Sequence, residues 1–231
     1  LCPLKAHLPL KALTPKMIEQ FTLDFKLSPD AVFANYVGDA AARVRASHGW
    51  CLVWGTPGSG RSHLLQAACH DESRSVFFGQ LARLSPEILR DLEHRRLVCL
   101  DDIDEILGDP EWEEALFHLM NGIKDRGGRL LMSAATPANQ FATRLPDLES
   151  RLKAATAIQT DVLDDRQKLT VLMQRARSLG FELSEEVGRF ILSRSPRDVT
   201  ALIDMLKRLE LETLRQHKRV TIPFVKRTLE L

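Results

Sequence analysis

The stretch "WGTPGSGRSHLLQAA", Trp54–Ala68, decides how the rest of the chain is read. Gly55, Gly58 and Gly60 have the spacing of a phosphate-binding loop, and Ser62 stands where such loops place the hydroxyl that meets Mg²⁺. Glycines are needed there so that backbone N–H groups can close around phosphate oxygens at the N-terminus of the following helix. Pro57, Ser59 and His63 complete the candidate nucleotide-contacting set around the loop. One position departs from the pattern: Arg61 occupies the place of the usual lysine. A lysine ammonium is compact, whereas guanidinium is broad and forked. Arginine keeps the charge needed for binding but is less suited to following a γ-phosphate to its transition state. The expectation is binding without fast hydrolysis.

Working outward, the residues before the loop, "WCLVW" (Trp50–Trp54), read as a strand, and those after Ser62 as a helix. "LVCL" (Leu97–Leu100) is apolar at every position, as a strand covered on both faces should be, and it runs into Asp101-Asp102. An acidic strand end beside a glycine loop is the expected second motif, with Asp101, Asp102 and Ser62 as candidate Mg²⁺ ligands. Asp102 is one methylene shorter than the glutamate that orients water in many such ATPases. The plain alternative is a glycine turn with an unrelated acidic strand end. Further strands are expected at "SVFF", "RLLMS" and "TAIQT", with helices at "SPEILRDLEHR" and through Trp112, Leu116 and Leu119. Strands alternating with helices predict an α/β parallel sheet with helices on both faces.

After Thr160 the pattern becomes helical. Leu169, Leu172, Met173, Ala176 and Leu179 share one face, and Asp164 with Gln167 reads as a capping box. Ser184 opens another helix, Val199 to Leu209 carries a third apolar stripe, and a short helix follows Pro223. The organisation expected is therefore an α/β domain over 26–162 and a small all-α lid over 163–231. Residues 1–19 read as a flexible tail, with Met17 a natural start and residues 1–16 upstream sequence.

Composition narrows the class. With 231 residues and 44% hydrophobic content the chain can build a real core. No apolar run approaches the ~18 residues of a membrane span. Four cysteines (Cys2, Cys51, Cys69 and Cys99) lack CxxC spacing, which favours reduced thiols in a cytosol. A net charge of +1 argues against coating nucleic acid by bulk electrostatics.

Several segments together carry a resemblance: "GTPGSGRSHLLQA", "LVCLDDIDEI", "LPDLESRL", "GFELSEEVGRF" and "RVTIPFVKRTLEL". Over about Gln20 to Leu231 the chain resembles the Hda family, the DnaA-related AAA+ regulators of bacterial replication initiation. Arginine at the loop's lysine position is itself a family feature. The resemblance implies a nucleotide-bound regulator, holding ADP with ATP as the alternative and Mg²⁺ beside it. Its partners would be the DNA-loaded sliding clamp (the β subunit of DNA polymerase III), DNA through that clamp, and DnaA, whose ATP hydrolysis it would stimulate. A bacterial cytoplasmic protein, nucleoid-associated through the replisome and able to form a homo-oligomer, is implied as well. The alternative class is an autonomous AAA+ ATPase of the helicase-loader type.

The same resemblance assigns further positions. "QFTLDF" looks like a clamp-binding peptide, with Gln20, Leu23 and Phe25 as anchors; an edge strand with alternating Phe21, Leu23 and Phe25 is the alternative. Arg151 matches the arginine finger that reaches a neighbour's γ-phosphate, or is a helix-end arginine pairing with Glu149 or Asp147. Arg144 is a weaker candidate for that interface. Ser133 is the polar residue expected at sensor 1. The sensor 2 arginine aligns with Thr200, so Arg197 is the candidate to reach the nucleotide, or else caps its own helix. Phe33, Tyr36 and Val37 in "FANYVGD" would cover the adenine, or pack under the sheet edge.

Overall fold

A computed structural model describes residues 27–194, 199–216 and 219–230. Five parallel strands, β1 (Trp50–Trp54), β2 (Ser75–Phe78), β3 (Leu97–Leu100), β4 (Arg129–Ala134) and β5 (Thr156–Gln159), lie in the order β2-β3-β4-β1-β5. Helix α1 (Ala40–Ala46) precedes β1, and α2 (Arg61–Asp71), α3 (Pro110–Arg126) and α4 (Pro146–Ala154) lie between strands. Register pairs Val53 of β1 with Ser133 of β4 and with Ile158 of β5.

The pleat sorts the strand residues into two cores. Leu97 and Cys99 of β3 face one side with Cys51, Val53 and Leu131, against α1 and α2. Val98 and Leu100 face the other with Leu52, Leu130 and Met132, against α3 and α4. Alternation with period 2 along an all-apolar strand is what burial on both faces requires. It also fixes a functional separation: α2, which begins at the glycine loop, and α4, which carries Arg151, lie on opposite faces of the sheet.

The helical region has its own core. α5 (Asp165–Ser178), α6 (Glu185–Arg194), α7 (Val199–Gln216) and α8 (Ile222–Leu229) enclose Leu172, Ala176, Ile191, Leu206, Leu209 and Val225, each at most 1% exposed. Asp164 and Gln167 make the reciprocal capping box that starts α5. Pro223 sits in the first turn of α8 and Thr221 caps it. Among the described residues no helix is long and apolar enough to cross a membrane.

One expected element differs. "SPEILRDLEHR" does not form a helix; it forms two 3₁₀ turns, Pro86–Leu89 and Leu92–His94. Ser85 caps the first turn by accepting from the Glu87 N–H, but Arg90 is extended and Asp91 is left-handed at φ 62°. The flattened path lets Glu93 lie against Gly122 of α3, where any Cβ would stand 2.7 Å from the Cβ of Glu93. Leu89 and Leu92 are each delivered to the core from separate turns.

Glu113 of α3 is 1% exposed, and its carboxylate accepts from the N–H groups of Gly108, Arg144 and Leu145 at 2.8, 2.9 and 2.8 Å. It thereby ties the loop before α3 and the loop before α4 to one helix. Each buried N–H deprived of its acceptor costs about 1–3 kcal/mol. Glu113→Ala should therefore lower unfolding stability in urea by about 3 kcal/mol or more, and a loss under about 1 kcal/mol would mean that water reaches those loops.

Candidate nucleotide site

Parallel strands deliver their C-terminal ends to one edge of the sheet, and that edge is where α/β sheets bind ligands. The glycine loop follows β1, Asp101 and Asp102 follow β3, and Ser133 is the penultimate residue of β4. Gly58 and Gly60 adopt φ of 78° and 87°, which side-chain-bearing residues avoid. Gly60 ends the loop at the N-terminus of α2, with Arg61, Ser62 and His63 forming its first turn.

Ser133 connects the acidic end of β3 to β4. Its hydroxyl donates to Asp101 Oδ1 at 2.5 Å and accepts from the Asp102 N–H at 2.8 Å. The serine is fully buried and Asp101 is 7% exposed. Asp102 is held in the left-handed region at φ 53°, a conformation that costs most residues of order 1 kcal/mol and that aspartate tolerates better than most.

Arg61 turns toward this acidic end. Its Nη2 lies 2.7 Å from Asp102 Oδ1, with the arginine side chain 10% exposed and the aspartate 33%. The contact is an ion pair without a directed hydrogen bond, because Arg61 Nη1 and Asp102 Oδ1 are both buried without hydrogen-bond partners. Burial pushes the Asp102 carboxyl up to about 6; Asp101 adds to the rise, and the Arg61 guanidinium opposes it. A buried guanidinium nitrogen lacking an acceptor, beside glycine N–H groups at a helix start, is a donor set for an oxyanion.

Mg²⁺ fits these residues only in company. It usually takes one or two carboxylates, waters and the phosphates of its ligand. Ser62, Asp101 and Asp102 supply hard oxygens at adjoining chain ends. Among the described residues no group of three or more His, Cys, Asp or Glu could hold a metal unaided.

Phe33, Tyr36 and Val37 are each partly exposed. Phe33 and Tyr36 pack on the α2-side core, and the Tyr36 ring closes over Gly60, where a Cβ would meet it at 2.8 Å. The Tyr36 hydroxyl lies 3.4 Å from Asp161 Oδ2, which also accepts from the Ala40 N–H at 3.1 Å. Burial, with the Asp161 charge second, pushes the phenol up to about 12. The His63 ring nitrogen bonds the Val32 carbonyl at 2.9 Å, and burial lowers its pKa from the ordinary value. Beyond His63 a cleft of about 230 Å³ opens between this segment and the lid, bordered by Ser28, Asn35, Gln66, Gln174 and Arg175. An Arg175–Asp30 ion pair bridges its two sides. Clefts of about 570 and 660 Å³ elsewhere share no residue with the glycine loop.

Arg151 lies apart from this edge. Its guanidinium stands 4.0 Å above the ring of Phe117, on the α3 face of the sheet. Glu149, one of the two carboxylates considered for it, is paired with Lys153 at 2.5 Å. Among the described residues Arg151 makes no ion pair. Arg144 is exposed, its backbone N–H held by Glu113. Gln20, Leu23, Phe25 and Arg197 lie outside the described residues. Sequence reasoning missed Glu113, Thr160 and Asp161. A buried glutamate inside an apolar helix face was the available hint for the first, and nothing local distinguished the others.

Comparison with known proteins agrees with this architecture. Residues 165–229 match the family profile described as "Hda, lid domain". Domain III of the Thermotoga maritima replication initiation protein DnaA superposes with a TM-score of 0.76 at 18% identity, covering 89% of this chain and 98% of that one. AMPPCP-bound DnaA from Aquifex aeolicus gives 0.63 at 18%, covering 83% and 69%. The Thermotoga maritima RuvB Holliday junction branch migration motor gives 0.62 at 16%, covering 93% and 68%. At these identities the structural likeness speaks for the fold, and the profile match for the lid region. Residues 165–229 therefore resemble the Hda lid domain, and the chain shares the fold of DnaA domain III.

The chain contains one tyrosine, so the alkaline rise in absorbance at 295 nm, above the constant contribution of its three tryptophans, reads Tyr36 alone. At pH 10 a solvated tyrosine is about half ionised. Tyr36 should show almost no phenolate there; half-ionisation at pH 10 in the folded protein would contradict its burial beside Asp161.

Proposed function

We propose that the protein is a negative regulator of chromosomal replication initiation, which holds ADP and stimulates hydrolysis of the ATP bound to DnaA once it is docked on the DNA-loaded sliding clamp. The observation that carries this reading is the division of labour between the two faces of the sheet. On one, Arg61 is drawn to Asp102, the carboxylate best placed to orient a water, so the site is suited to retaining a nucleotide. On the other, Arg151 has no carboxylate partner among the described residues and rests on an aromatic ring.

ADP would sit with its phosphates on Gly55, Pro57, Gly58, Ser59, Gly60 and Ser62, where Arg61 Nη1 gains an acceptor. Mg²⁺ would be shared by the phosphates, the Ser62 hydroxyl and the acidic end of β3, lowering the charge of the bound nucleotide. Ser133 holds that acidic end rigid. Arg197 would approach the nucleotide from the lid.

Arg151 acts in the partner. An arginine supplied across an interface stabilises charge on a γ-phosphate and can be worth roughly 10³–10⁵ in rate. The in-line water and the metal there belong to DnaA. Gln20, Leu23 and Phe25 tether the protein to the clamp in the cytoplasm, at the nucleoid. A short extended peptide of this kind is weak alone because ordering it costs part of its contact energy.

Hydrolysis of DnaA-bound ATP should accelerate only when this protein and DNA-loaded clamp are both present. Fast turnover by the protein alone would instead indicate an autonomous ATPase. Arg151→Ala should keep clamp binding and lose the stimulation by at least ~10³-fold, and persistence of stimulation would remove the finger role. Replacing Gln20 and Leu23 by alanine should abolish retention on immobilised clamp; undiminished retention would place the docking surface elsewhere.

A further inference from the structure

Glycine loops are pliable, and something must hold Gly55–Ser62 in its phosphate-accepting shape. Thr160, the residue after β5, is 4% exposed. Its hydroxyl lies 2.7 Å from Ser59 Oγ at the crest of the loop and 3.3 Å from the Trp54 carbonyl at its root. Gly55 is pressed against the same oxygen so closely that a Cβ there would stand 1.9 Å away. One buried hydroxyl therefore holds both ends of the first half of the loop.

Asp161 does the same for the segment above. Its Oδ2 receives the Ala40 N–H and faces the Tyr36 hydroxyl. Gly38, at φ 128°, admits the carboxylate where any Cβ would be 2.3 Å from Oδ2. With the Tyr36 ring closed over Gly60, the loop is held from below by Thr160 and from above through Asp161.

We propose that Thr160 and Asp161 are positioning residues for nucleotide binding, Thr160 setting the phosphate loop and Asp161 the segment that covers it. This rests on the reading of the loop as a nucleotide site. Neither residue is required by the loop motif; each acts through another, Thr160 through Ser59 and Gly55, Asp161 through Tyr36 and Ala40. The polypeptide continues from them into α5, so the connection to the lid is also the fastening of the site.

The test uses the full chain and two readouts. In titrations with a fluorescent ADP analogue and Mg²⁺, Thr160→Val should weaken binding about tenfold, the loss expected from one hydrogen bond of about 1.4 kcal/mol. Thr160→Ser, which restores the hydroxyl, should bind within about twofold of wild type. Asp161→Ala should weaken binding by a similar factor. In hydrogen exchange without nucleotide, Thr160→Val should accelerate amides 55–60 and Asp161→Ala amides 36–40, leaving the core strands protected. Unchanged ADP affinity in both variants overturns the proposal, whatever exchange shows. A wild-type protein that binds no ADP would sink the nucleotide reading instead, and unaltered exchange at 55–60 and 36–40 would then overturn this one separately.

Discussion

A guanidinium that is 10% exposed inside a phosphate loop must find a negative partner, and in this protein the nearest one is Asp102. That requirement organises the site. Arg61 comes from the first turn of α2 and Asp102 from the end of β3, so satisfying the charge draws the loop helix onto the acidic strand end. Removing one partner of such a pair is more damaging than the pair is stabilising, since it strands a buried charge. Asp102 tolerates the arrangement through its left-handed backbone and through the Ser133 hydroxyl that receives its N–H. The pairing leaves Arg61 Nη1 as the donor without an acceptor. A site built this way favours an anion at the loop while keeping its own carboxylate occupied.

The same sheet that assembles this site excludes Arg151 from it. Side chains of α2 and α4 are buried on opposite faces, so the candidate finger cannot serve the loop of its own chain without leaving its place over Phe117. Its location is set from afar by Glu113, whose buried carboxylate fixes the loop that leads into α4. Under the proposed function, this separation leaves Arg151 for a neighbour's site while the glycine loop holds a nucleotide of its own.

Local chemistry explains what could be read from the chain. The glycine loop, the all-apolar strand ending in Asp101-Asp102, and the capping box of Asp164 and Gln167 are each specified within a few residues. The helical stripe of Leu202, Leu206 and Leu209 follows from periodicity alone. The segment from Pro86 to His94 misled because Ser85 and Pro86 carry genuine helix-start signals, while the left-handed turn at Asp91 answers to packing on Gly122. Arg61 with Asp102, Glu113 with Leu145, and Tyr36 with Asp161 were illegible for one reason. They are separated by 41, 32 and 125 residues, and only the strand order brings them together.

The proposed function requires a nucleotide that is kept and not consumed. Loading the protein with radiolabelled ATP and Mg²⁺, then following the bound label in a single turnover without DnaA or clamp, addresses that directly. The expected result is label that stays bound as ATP for many multiples of the ~0.1 s typical of a competent enzyme turnover. Conversion to ADP on that typical timescale would show that Asp102 is free to orient water despite Arg61, and would contradict retention of the nucleotide.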